Sequence, residues 1–376
     1  MGDDRALLAR HPVLAARLPW VRLGDFPTPV RPLDGVAEGL GLDPGVLWEK
    51  RDDLTSPVYG GNKVRTLEVL FGDAVTRGAT HVYSTGAYGS NHGAATVLHA
   101  PRSDLVPGIM LYPQPPSRTA ADNLAVMLSR RPVVRDLPHY TALPFGWLQL
   151  PQEARARGER PYIMEPGGAV PLGALGYVSA AWELAHQVEA GVLPRPRVLV
   201  VPAGSNCTTA GLLLGLRYAA EARVGFVDDG APAPPVLWAV RVTPWPVTTR
   251  FRITRLAAQA SALLAERTGD GSLVRKAAVL STGLHIDGRY LGAGYGLPTA
   301  AGRSAVARWA EGTDHDLETT YSGKGAAAFV DFARTAPRGP ILLWSTKSSA
   351  PLPPLDHDAI AEAPVRMRRW LTRARG

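Results

Sequence analysis

A lysine that directly follows two glycines and an asparagine is the first group in this sequence that could do covalent chemistry. The segment reads Tyr59-Gly-Gly-Asn-Lys-Val-Arg-Thr-Leu-Glu-Val-Leu, and its glycines let the backbone turn tightly and approach a ligand. Lys63 then opens a predicted helix in which Leu67, Leu70 and Phe71 share one buried face. Burial and a helix N-terminus both disfavour the ammonium form, so the pKa of Lys63 should fall and its neutral amine could form a Schiff base. The alternative is an ordinary surface lysine after a glycine turn.

A second group of polar side chains follows a predicted strand and leads into a helix of small residues. Ser90, Asn91 and His92 bring a hydroxyl, an amide and an imidazole beside the free N–H groups of that helix. Open α/β sheets bind ligands at the carboxyl ends of their strands, so a carboxylate or phenolate oxygen suits this position. Ordinary N-capping of the helix by Ser90 and Asn91 explains the same residues equally well.

A third segment, residues 198–209, runs from a buried strand through a loop of small and hydroxylated residues into an apolar helix. Backbone amides and the hydroxyls of Ser205, Thr208 and Thr209 could cradle a phosphate there. The segment lacks the Gly-Lys-Ser/Thr ending of a nucleotide P-loop and any G-x-G-x-x-G pattern, which favours a phosphorylated cofactor other than a nucleotide. A capped strand-to-helix loop is the alternative.

Tyr295 and Tyr321 lie in glycine-rich turns, where they could present phenol groups to a ligand or simply pack their loops.

Short apolar runs alternate with helical patterns along the chain, which is typical of βαβ units and a mostly parallel sheet. The predicted strands are residues 46–49, 81–84, 108–112, 198–201, 236–242 and 341–344. The predicted helices are residues 63–77, 172–190, 209–222, 299–310 and 325–334. These elements are the ones that must position the three polar segments.

Composition excludes several classes of protein. The chain has 376 residues, of which 45% are hydrophobic and 20% charged, so it can form a sizeable core and is not a disordered chain. A single cysteine, Cys207, excludes a disulfide framework and a multi-cysteine zinc site, and we expect a cytoplasmic protein without a metal. We expect no membrane span and no signal peptide, since no apolar run approaches about 18 residues. The net charge of +8 reflects either an arginine-rich composition or attraction of anions, and because the arginines are spread out we expect no nucleic-acid partner.

Taken together and in this order, the segments resemble the fold-type II pyridoxal-phosphate enzymes, and more narrowly the group of 1-aminocyclopropane-1-carboxylate deaminase and D-cysteine desulfhydrase. The text that carries the resemblance spans residues 23–30, 49–53, 60–68, 90–92, 167–178 and 321–324. The resemblance implies a tryptophan-synthase-β-like α/β fold, with two mostly parallel open sheets and helices on both faces. It also implies a small domain, residues 63–165, inserted in a larger cofactor-binding domain of residues 1–62 and 166–376, and a homodimer.

The resemblance also implies roles for individual residues. Lys63 would hold pyridoxal 5′-phosphate as a Schiff base and move the substrate proton, and Asn91 would hydrogen-bond the cofactor 3′-oxygen. Ser90 would bind the substrate carboxylate, with His92 nearby, and Tyr295 and Tyr321 match the two active-site tyrosines of the deaminase branch. The phosphate would lie on the loop formed by Gly204, Ser205, Asn206, Cys207 and Thr208. Tyr88, together with Ala169 and Val170, indicates a larger or more apolar substrate pocket.

Several positions depart from the family pattern. Asn206-Cys207 replaces two glycines, Thr66 replaces a lysine near the phosphate, Gly89 replaces a glutamine, Ala169-Val170 replaces Ser-Asn, and Ser345-Thr-Lys-Ser-Ser-Ala-Pro replaces His-Thr-Gly-Gly-x-Pro. Ser322 stands where the deaminase branch has a carboxylate at the pyridine nitrogen, and a hydroxyl cannot stabilise a protonated ring as a carboxylate does. Thr346 or Ser348 could supply another partner for that nitrogen.

The resemblance and its departures lead to a prediction of reaction type. We expect Cα deprotonation of a small amino acid followed by β-elimination, as in D-cysteine desulfhydrase, and little opening of a cyclopropane. β- or γ-Replacement in a specialised pathway is an alternative, because it uses every residue named above. A non-catalytic protein that binds the cofactor or a metabolite is a further alternative, which the retained Lys63 disfavours.

Overall fold

The computed structural model describes residues 5–335 and 339–375. Its strands are β1 (Val30–Pro32), β2 (Leu47–Arg51), β3 (His81–Ala87), β4 (Val106–Tyr112), β5 (Val133–Asp136), β6 (Pro161–Ile163), β7 (Val198–Ala203), β8 (Val227–Asp228), β9 (Ala231–Pro232), β10 (Val236–Arg241), β11 (Leu284–Asp287) and β12 (Ile341–Ser345). Its helices are α1 (Ala6–Arg10), α2 (Asp34–Glu38), α3 (Lys63–Thr76), α4 (Asn91–His99), α5 (Arg118–Leu128), α6 (Leu143–Ala156), α7 (Pro171–Glu189), α8 (Cys207–Glu221), α9 (Arg250–Thr268), α10 (Ala277–Ser281), α11 (Ala300–Gly312), α12 (Ser322–Thr335), α13 (His357–Glu362) and α14 (Val365–Arg375).

The larger sheet has six strands in the order β1-β2-β12-β7-β10-β11. All of its pairings are parallel except that of the edge strand β1 with β2. Its central strand β7 is buried along its whole length, which is why residues 198–203 read as an uninterrupted apolar run. Helices lie on both faces, with α7, α8 and α9 on one and α11 and α12 on the other.

The smaller sheet has four parallel strands in the order β5-β4-β3-β6. Helices α3, α4 and α5 cover one face and α6 covers the other. The strands of this sheet all fall between residues 81 and 163, inside the range 63–165 expected for a small domain. The C-terminal helix α14 also packs here, through the buried Met367 and Leu371, so the end of the chain returns to the smaller sheet. The exact domain division stays a prediction.

The α/β architecture with two mostly parallel sheets and helices on both faces is as the sequence predicts. Close packing of α7 on α8 depends on glycines, since a β-carbon at Gly211 would lie 2.3 Å from the Ala174 carbonyl oxygen. Strands β3 and β7 each run directly into a loop followed by a helix N-terminus, at α4 and α8. In the part of the chain that the structure describes, no helix is both long and apolar enough to cross a membrane.

Candidate active site

Lys63 is the first residue of α3, and its amine is held among polar groups from two other segments. The Nζ atom lies 3.2 Å from the Gly167 carbonyl oxygen and 3.4 Å from Ser205 Oγ. Burial lowers the pKa of Lys63, and the nearby Cys207 thiol opposes this only as the smaller influence. The direction is the one the sequence predicts, and it increases the fraction of neutral, nucleophilic amine.

A glycine turn before α3 brings the C-terminal loop against the lysine. Gly61 has φ +91°, and a β-carbon there would lie 2.6 Å from the Thr346 carbonyl oxygen, so both conformation and space require glycine. The Asn62 N–H donates to that same carbonyl at 2.9 Å, and the Gly60 N–H donates to Ser348 Oγ at 2.8 Å. The loop after β12 therefore docks on the turn that presents Lys63, although its sequence departs from the family pattern.

Asn206 lies in the loop predicted to bind a phosphate, at a position where the family pattern has a glycine. Its φ is +76°, in the left-handed region that asparagine tolerates better than other residues with a β-carbon. Its Nδ2 donates to the Val247 carbonyl oxygen at 2.9 Å, and Thr248 Oγ1 donates to the Gly204 carbonyl oxygen at 2.6 Å. Hydrogen bonds to Val247 and Thr248 therefore hold the loop in place. The first N–H groups of α8 have no partner within the helix.

The loop contacts the lysine turn through two further side chains. Asn62 Nδ2 donates to Thr208 Oγ1 at 3.0 Å. The Cys207 thiol is fully buried and donates to the Gly168 carbonyl oxygen at 3.1 Å, and burial raises its pKa. Cys207 therefore packs as a neutral thiol against the lysine turn, beside Thr66.

The structure supports ordinary N-capping for Ser90 but not for Asn91. Ser90 is the N-cap of α4, because its Oγ accepts the Gly93 N–H at 3.1 Å. Asn91 makes no such cap; its Oδ1 accepts from the Tyr59 hydroxyl at 3.0 Å and from Asn123 Nδ2 at 2.8 Å. His92 is buried close to Lys63, and burial together with the lysine charge lowers its pKa to about 3, so its imidazole is neutral.

Tyr59 and Asn123 are site residues that the sequence reasoning missed. Asn123 is a buried amide on the apolar face of α5, and its Nδ2 also donates to the Gly89 carbonyl oxygen at 3.0 Å. An asparagine inside an otherwise apolar helix face is a signal that could have found it, since buried amides need partners. Tyr59 directly precedes the Gly-Gly-Asn-Lys motif, and position in that motif was its only signal.

The two tyrosines predicted from separate turns meet in space. Tyr295 Oη and Tyr321 Oη lie 2.5 Å apart, and burial raises both pKa values, so both are neutral phenols. The Tyr321 ring lies against Gly204 of the phosphate loop. Lys324 holds the loop that carries Tyr295, because its Nζ donates to the carbonyl oxygens of Leu291 at 2.9 Å and Gly294 at 3.2 Å.

Buried polar atoms without partners mark where a ligand fits. Among the described residues these include Ser322 Oγ, Thr209 Oγ1 and both ring nitrogens of His92. Buried polar groups are normally hydrogen-bonded, so these unpartnered atoms on segments of the predicted site are available to a polar ligand. The donor set fits the cofactor implied by the resemblance: an amine for its aldehyde, N–H and hydroxyl groups for its phosphate, and the Ser322 hydroxyl for its ring nitrogen.

Tyr88 does not join this group. Its side chain is fully buried, its hydroxyl donates to Asp136 Oδ1 at 2.6 Å, and its ring packs edge-on against Trp370 of α14. The Tyr88 hydroxyl therefore already has a partner on β5. A substrate contact by Tyr88 stays a prediction.

An ionic cluster behind the site fixes α3 relative to α7. Arg65, two residues after the lysine, donates to Asp52 at 2.8 and 3.0 Å and to Glu183 at 2.9 Å, and Lys50 donates to Glu183 at 2.5 Å. Burial alone would raise the pKa of Glu183, but the charges of Arg65 and Lys50 lower it to about 2. Tyr177 completes the cluster with a hydrogen bond to Asp52 at 2.7 Å. Among the described residues, no cluster of three His, Cys, Asp or Glu side chains could hold a metal ion.

Comparison with known proteins identifies relatives that match most of the chain. Residues 21–346 match the family model described as pyridoxal-phosphate dependent enzyme. Nocardicin C-9′ epimerase of Nocardia uniformis is 31% identical over 90% of this chain and 97% of its own length. D-cysteine desulfhydrase of Salmonella paratyphi C is 32% identical over 88% of this chain and 94% of its own length. Another relative, from Pyrococcus horikoshii, is 37% identical to this chain. The matched region is 55% of this chain and 62% of that protein.

A solved structure has a similar fold. The crystal structure of an ACC deaminase homologue superposes with a TM-score of 0.72 at 28% identity, covering 93% of this chain and 96% of the other. The similarity therefore includes both sheets and the loops between them.

Proposed function

Because the chain belongs to the pyridoxal-phosphate dependent enzyme family, we propose that it removes the Cα proton of a small amino acid and then expels a leaving group from Cβ. The observation that carries the proposal is the Lys63 amine, whose pKa is lowered by burial and which contacts Ser205 of the phosphate loop. The eliminated aminoacrylate is hydrolysed by water, so the products are the protonated leaving group, a 2-oxo acid and ammonia.

The binding roles follow from the hydrogen-bond donors around the lysine. Lys63 holds the cofactor covalently, and the loop of Gly204, Ser205, Asn206, Cys207 and Thr208 holds its phosphate through N–H groups and hydroxyls. Asn91 donates to its phenolic oxygen, and Ser322 or Thr346 contacts its ring nitrogen. Ser90 and the N–H groups at the start of α4 bind the substrate carboxylate.

The proton transfers involve Lys63 and the tyrosine pair. The bound cofactor supplies a conjugated ring that accepts the electron pair left on Cα. Once the substrate amine has displaced Lys63 from the cofactor, the freed Lys63 amine takes the Cα proton, since a lysine of lowered pKa is an effective base near neutral pH. The Tyr295–Tyr321 pair consists of neutral phenols, so it can donate a proton to the departing group on Cβ.

Ser322 determines the expected choice of substrate. Its hydroxyl is buried and has no partner among the described residues, and it offers no negative charge to a protonated ring nitrogen. Such a ring is a weaker electron sink, which suffices when a good leaving group departs promptly from Cβ. A cyclopropane has no heteroatom leaving group, so its opening should be slow.

A product assay tests this choice. We expect pyruvate from D- or L-cysteine, O-acetylserine or β-chloroalanine, and little 2-oxobutanoate from 1-aminocyclopropane-1-carboxylate. A Ser322→Glu variant should gain cyclopropane opening relative to the parent. Efficient cyclopropane opening by the parent with no pyruvate from any β-substituted alanine would contradict the proposal.

Epimerisation is a second candidate, favoured by the similarity to nocardicin C-9′ epimerase over 90% of this chain. Epimerisation also begins with loss of the Cα proton, but the proton returns from the opposite face and no Cβ bond breaks. Incubation in D₂O separates the two: deuterium at Cα with inversion and no keto acid indicates epimerisation, whereas keto acid and ammonia indicate elimination. The panel should include larger aromatic amino acids.

We also propose a homodimer in the cytoplasm. Trp245 and Phe251 are 74% and 68% exposed, and the carbonyl of Val247 between them holds Asn206 of the phosphate loop. An apolar surface of this kind fits a second copy of the chain. Sedimentation equilibrium should give twice the chain mass of 40.1 kDa, and Trp245→Ser with Phe251→Ser should lower it.

A further inference from the structure

Lys347 is a cation at the edge of the site whose hydrogen-bond partners are neutral. Its Nζ lies 3.3 Å from Tyr59 Oη and 3.5 Å from the Ser348 carbonyl oxygen, and 4.9 Å from the centroid of the Tyr59 ring. No ion pair joins it to a carboxylate in residues 5–335 or 339–375. It stands where the family pattern has a glycine.

The contact with Lys347 determines where the Tyr59 proton goes. An ammonium group only donates, so Tyr59 Oη must accept from Lys347. The single phenol proton is then directed to the other side, where Asn91 Oδ1 lies at 3.0 Å and Asn123 Oδ1 at 3.1 Å. A tyrosine without the lysine could instead turn its lone pairs toward these amides.

The Tyr59 proton and the Asn123 amide together fix the orientation of Asn91. Asn91 Oδ1 is met by donors from both Tyr59 and Asn123. The Nδ2 end of the amide is therefore the end left to donate to a ligand, because a flipped amide would face two donors with its own N–H groups. Fixing an amide in one orientation beforehand spares a ligand the cost of reorganising it.

We propose that Lys347 is a positioning residue which, through Tyr59, holds Asn91 as a hydrogen-bond donor to the phenolic oxygen of the cofactor and places positive charge near that oxygen. This inference rests on the proposed placement of the cofactor on Lys63. The effect favours the anionic oxygen over its protonated form.

The other titratable groups around Tyr59 do not supply this charge. His99 Nε2 donates to the Tyr59 carbonyl oxygen at 2.8 Å, and burial lowers its pKa to about 4. His92 is neutral for the same reason, with a pKa of about 3. Asp53, which contacts Ser349 of the same loop, is paired with Arg51 at 2.7 Å. Burial lowers the pKa of Lys63 itself.

The test is a pH titration of the visible absorbance of the purified holoenzyme without substrate. Lys347→Met removes the charge and keeps the length of the side chain, so the midpoint should rise by about 0.5 to 1 pH unit, since loss of a nearby cation favours the protonated chromophore. Lys347→Arg should restore most of the shift. Lys347→Gln is a second neutral variant in case the methionine disturbs the loop, and far-ultraviolet circular dichroism verifies folding.

A double-mutant cycle tests the route through Tyr59. In a Tyr59→Phe background the Lys347→Met shift should fall to less than half, because the relay through Tyr59 is already broken and only the direct effect of the charge remains. An unchanged midpoint in both neutral variants, or a full shift in the Tyr59→Phe background, would overturn the inference. Borohydride labelling of Lys63 in each variant separates this outcome from failure of the proposed function, which would appear as absent labelling in the parent.

Discussion

At the scale of single residues, the predicted site depends on two asparagines, one with an unusual backbone conformation and one with a fixed amide orientation. Asn206 takes a left-handed conformation where the related enzymes have glycine, and Asn91 has its orientation fixed by two donors. Neither role is visible in the composition of the segments. Both follow from the ability of an asparagine amide to bond locally while tolerating unusual backbone angles.

Two variants of Asn206 test whether the loop requires a left-handed conformation at this position. Asn206→Gly and Asn206→Ala both lose the hydrogen bond to Val247, but only alanine carries a β-carbon at φ +76°. We expect the alanine variant to be less stable than the glycine variant by about 1 kcal/mol, measured by urea unfolding of the apoprotein. Equal stability of the two would show that the loop relaxes out of the left-handed conformation.

Sequence reasoning singled out residues whose side chains could react and did not single out the residues that contact them. Lys63, Ser90 and the tyrosine pair stand in motifs with glycines or helix starts, which are local signals. Tyr59 and Asn123 act through contacts with residues 32 or more positions away, and no local pattern reports such contacts. The partners of Tyr88, Asp136 and Trp370, are also distant in sequence, so its hydroxyl and ring contacts could not be predicted locally.

At the scale of helices and strands, the predicted buried elements are present, but short edge strands and some long helices, among them α5, α6 and α9, were not predicted. The helix predicted over residues 63–77 is Lys63–Thr76, and the strand predicted over 198–201 is Val198–Ala203. Strands β1, β5, β6 and β11 were missed, and each has only three or four residues of mixed polarity. Such strands are defined by the neighbours with which they pair rather than by their own periodicity.

The ionic cluster between α3 and α7 gives an element-scale prediction. Glu183→Gln leaves Arg65 and Lys50 buried without their shared carboxylate, so we expect a loss of about 3 to 5 kcal/mol of unfolding free energy. Glu189→Gln, on the exposed end of the same helix, is the matched control and should change stability little. Urea unfolding at neutral pH measures both.

The pH dependence of that difference has a definite sign. The folded-state pKa of Glu183 is about 2, below its ordinary value of 4.5. Its contribution to stability is therefore complete above about pH 4.5 and is lost as the pH falls toward 2. The stability gap between the parent and Glu183→Gln should narrow over that interval. A gap that is constant down to pH 2 would contradict the assigned charge state.

At the scale of the whole molecule, the proposed cofactor contacts come from segments of both sheets. Lys63 and Asn91 belong to helices packed on the smaller sheet, whereas residues 204–208 and Ser322 adjoin the larger one. A ligand that binds only the folded state stabilises it by mass action. We therefore expect removal of pyridoxal phosphate to lower the melting temperature cooperatively for the whole chain.

Thr208 links this effect to the phosphate loop. Thr208→Val should weaken cofactor affinity by about 1 to 3 kcal/mol, because a charge-assisted hydrogen bond is lost. The apoprotein should melt at nearly the same temperature as the parent apoprotein. Thr254→Val is the matched control, a buried threonine on α9 whose hydroxyl bonds its own helix. Unchanged affinity in Thr208→Val would place the phosphate elsewhere.

The identity of the lysine that carries the cofactor is the claim on which every proposed role depends. Borohydride reduction of the holoenzyme, followed by proteolysis and mass spectrometry, measures it directly. We expect a single reduced pyridoxyl adduct, on the peptide containing Lys63, and no adduct in Lys63→Ala. An adduct on Lys347, Lys50 or Lys324 in the parent protein, with Lys63 unmodified, would contradict it.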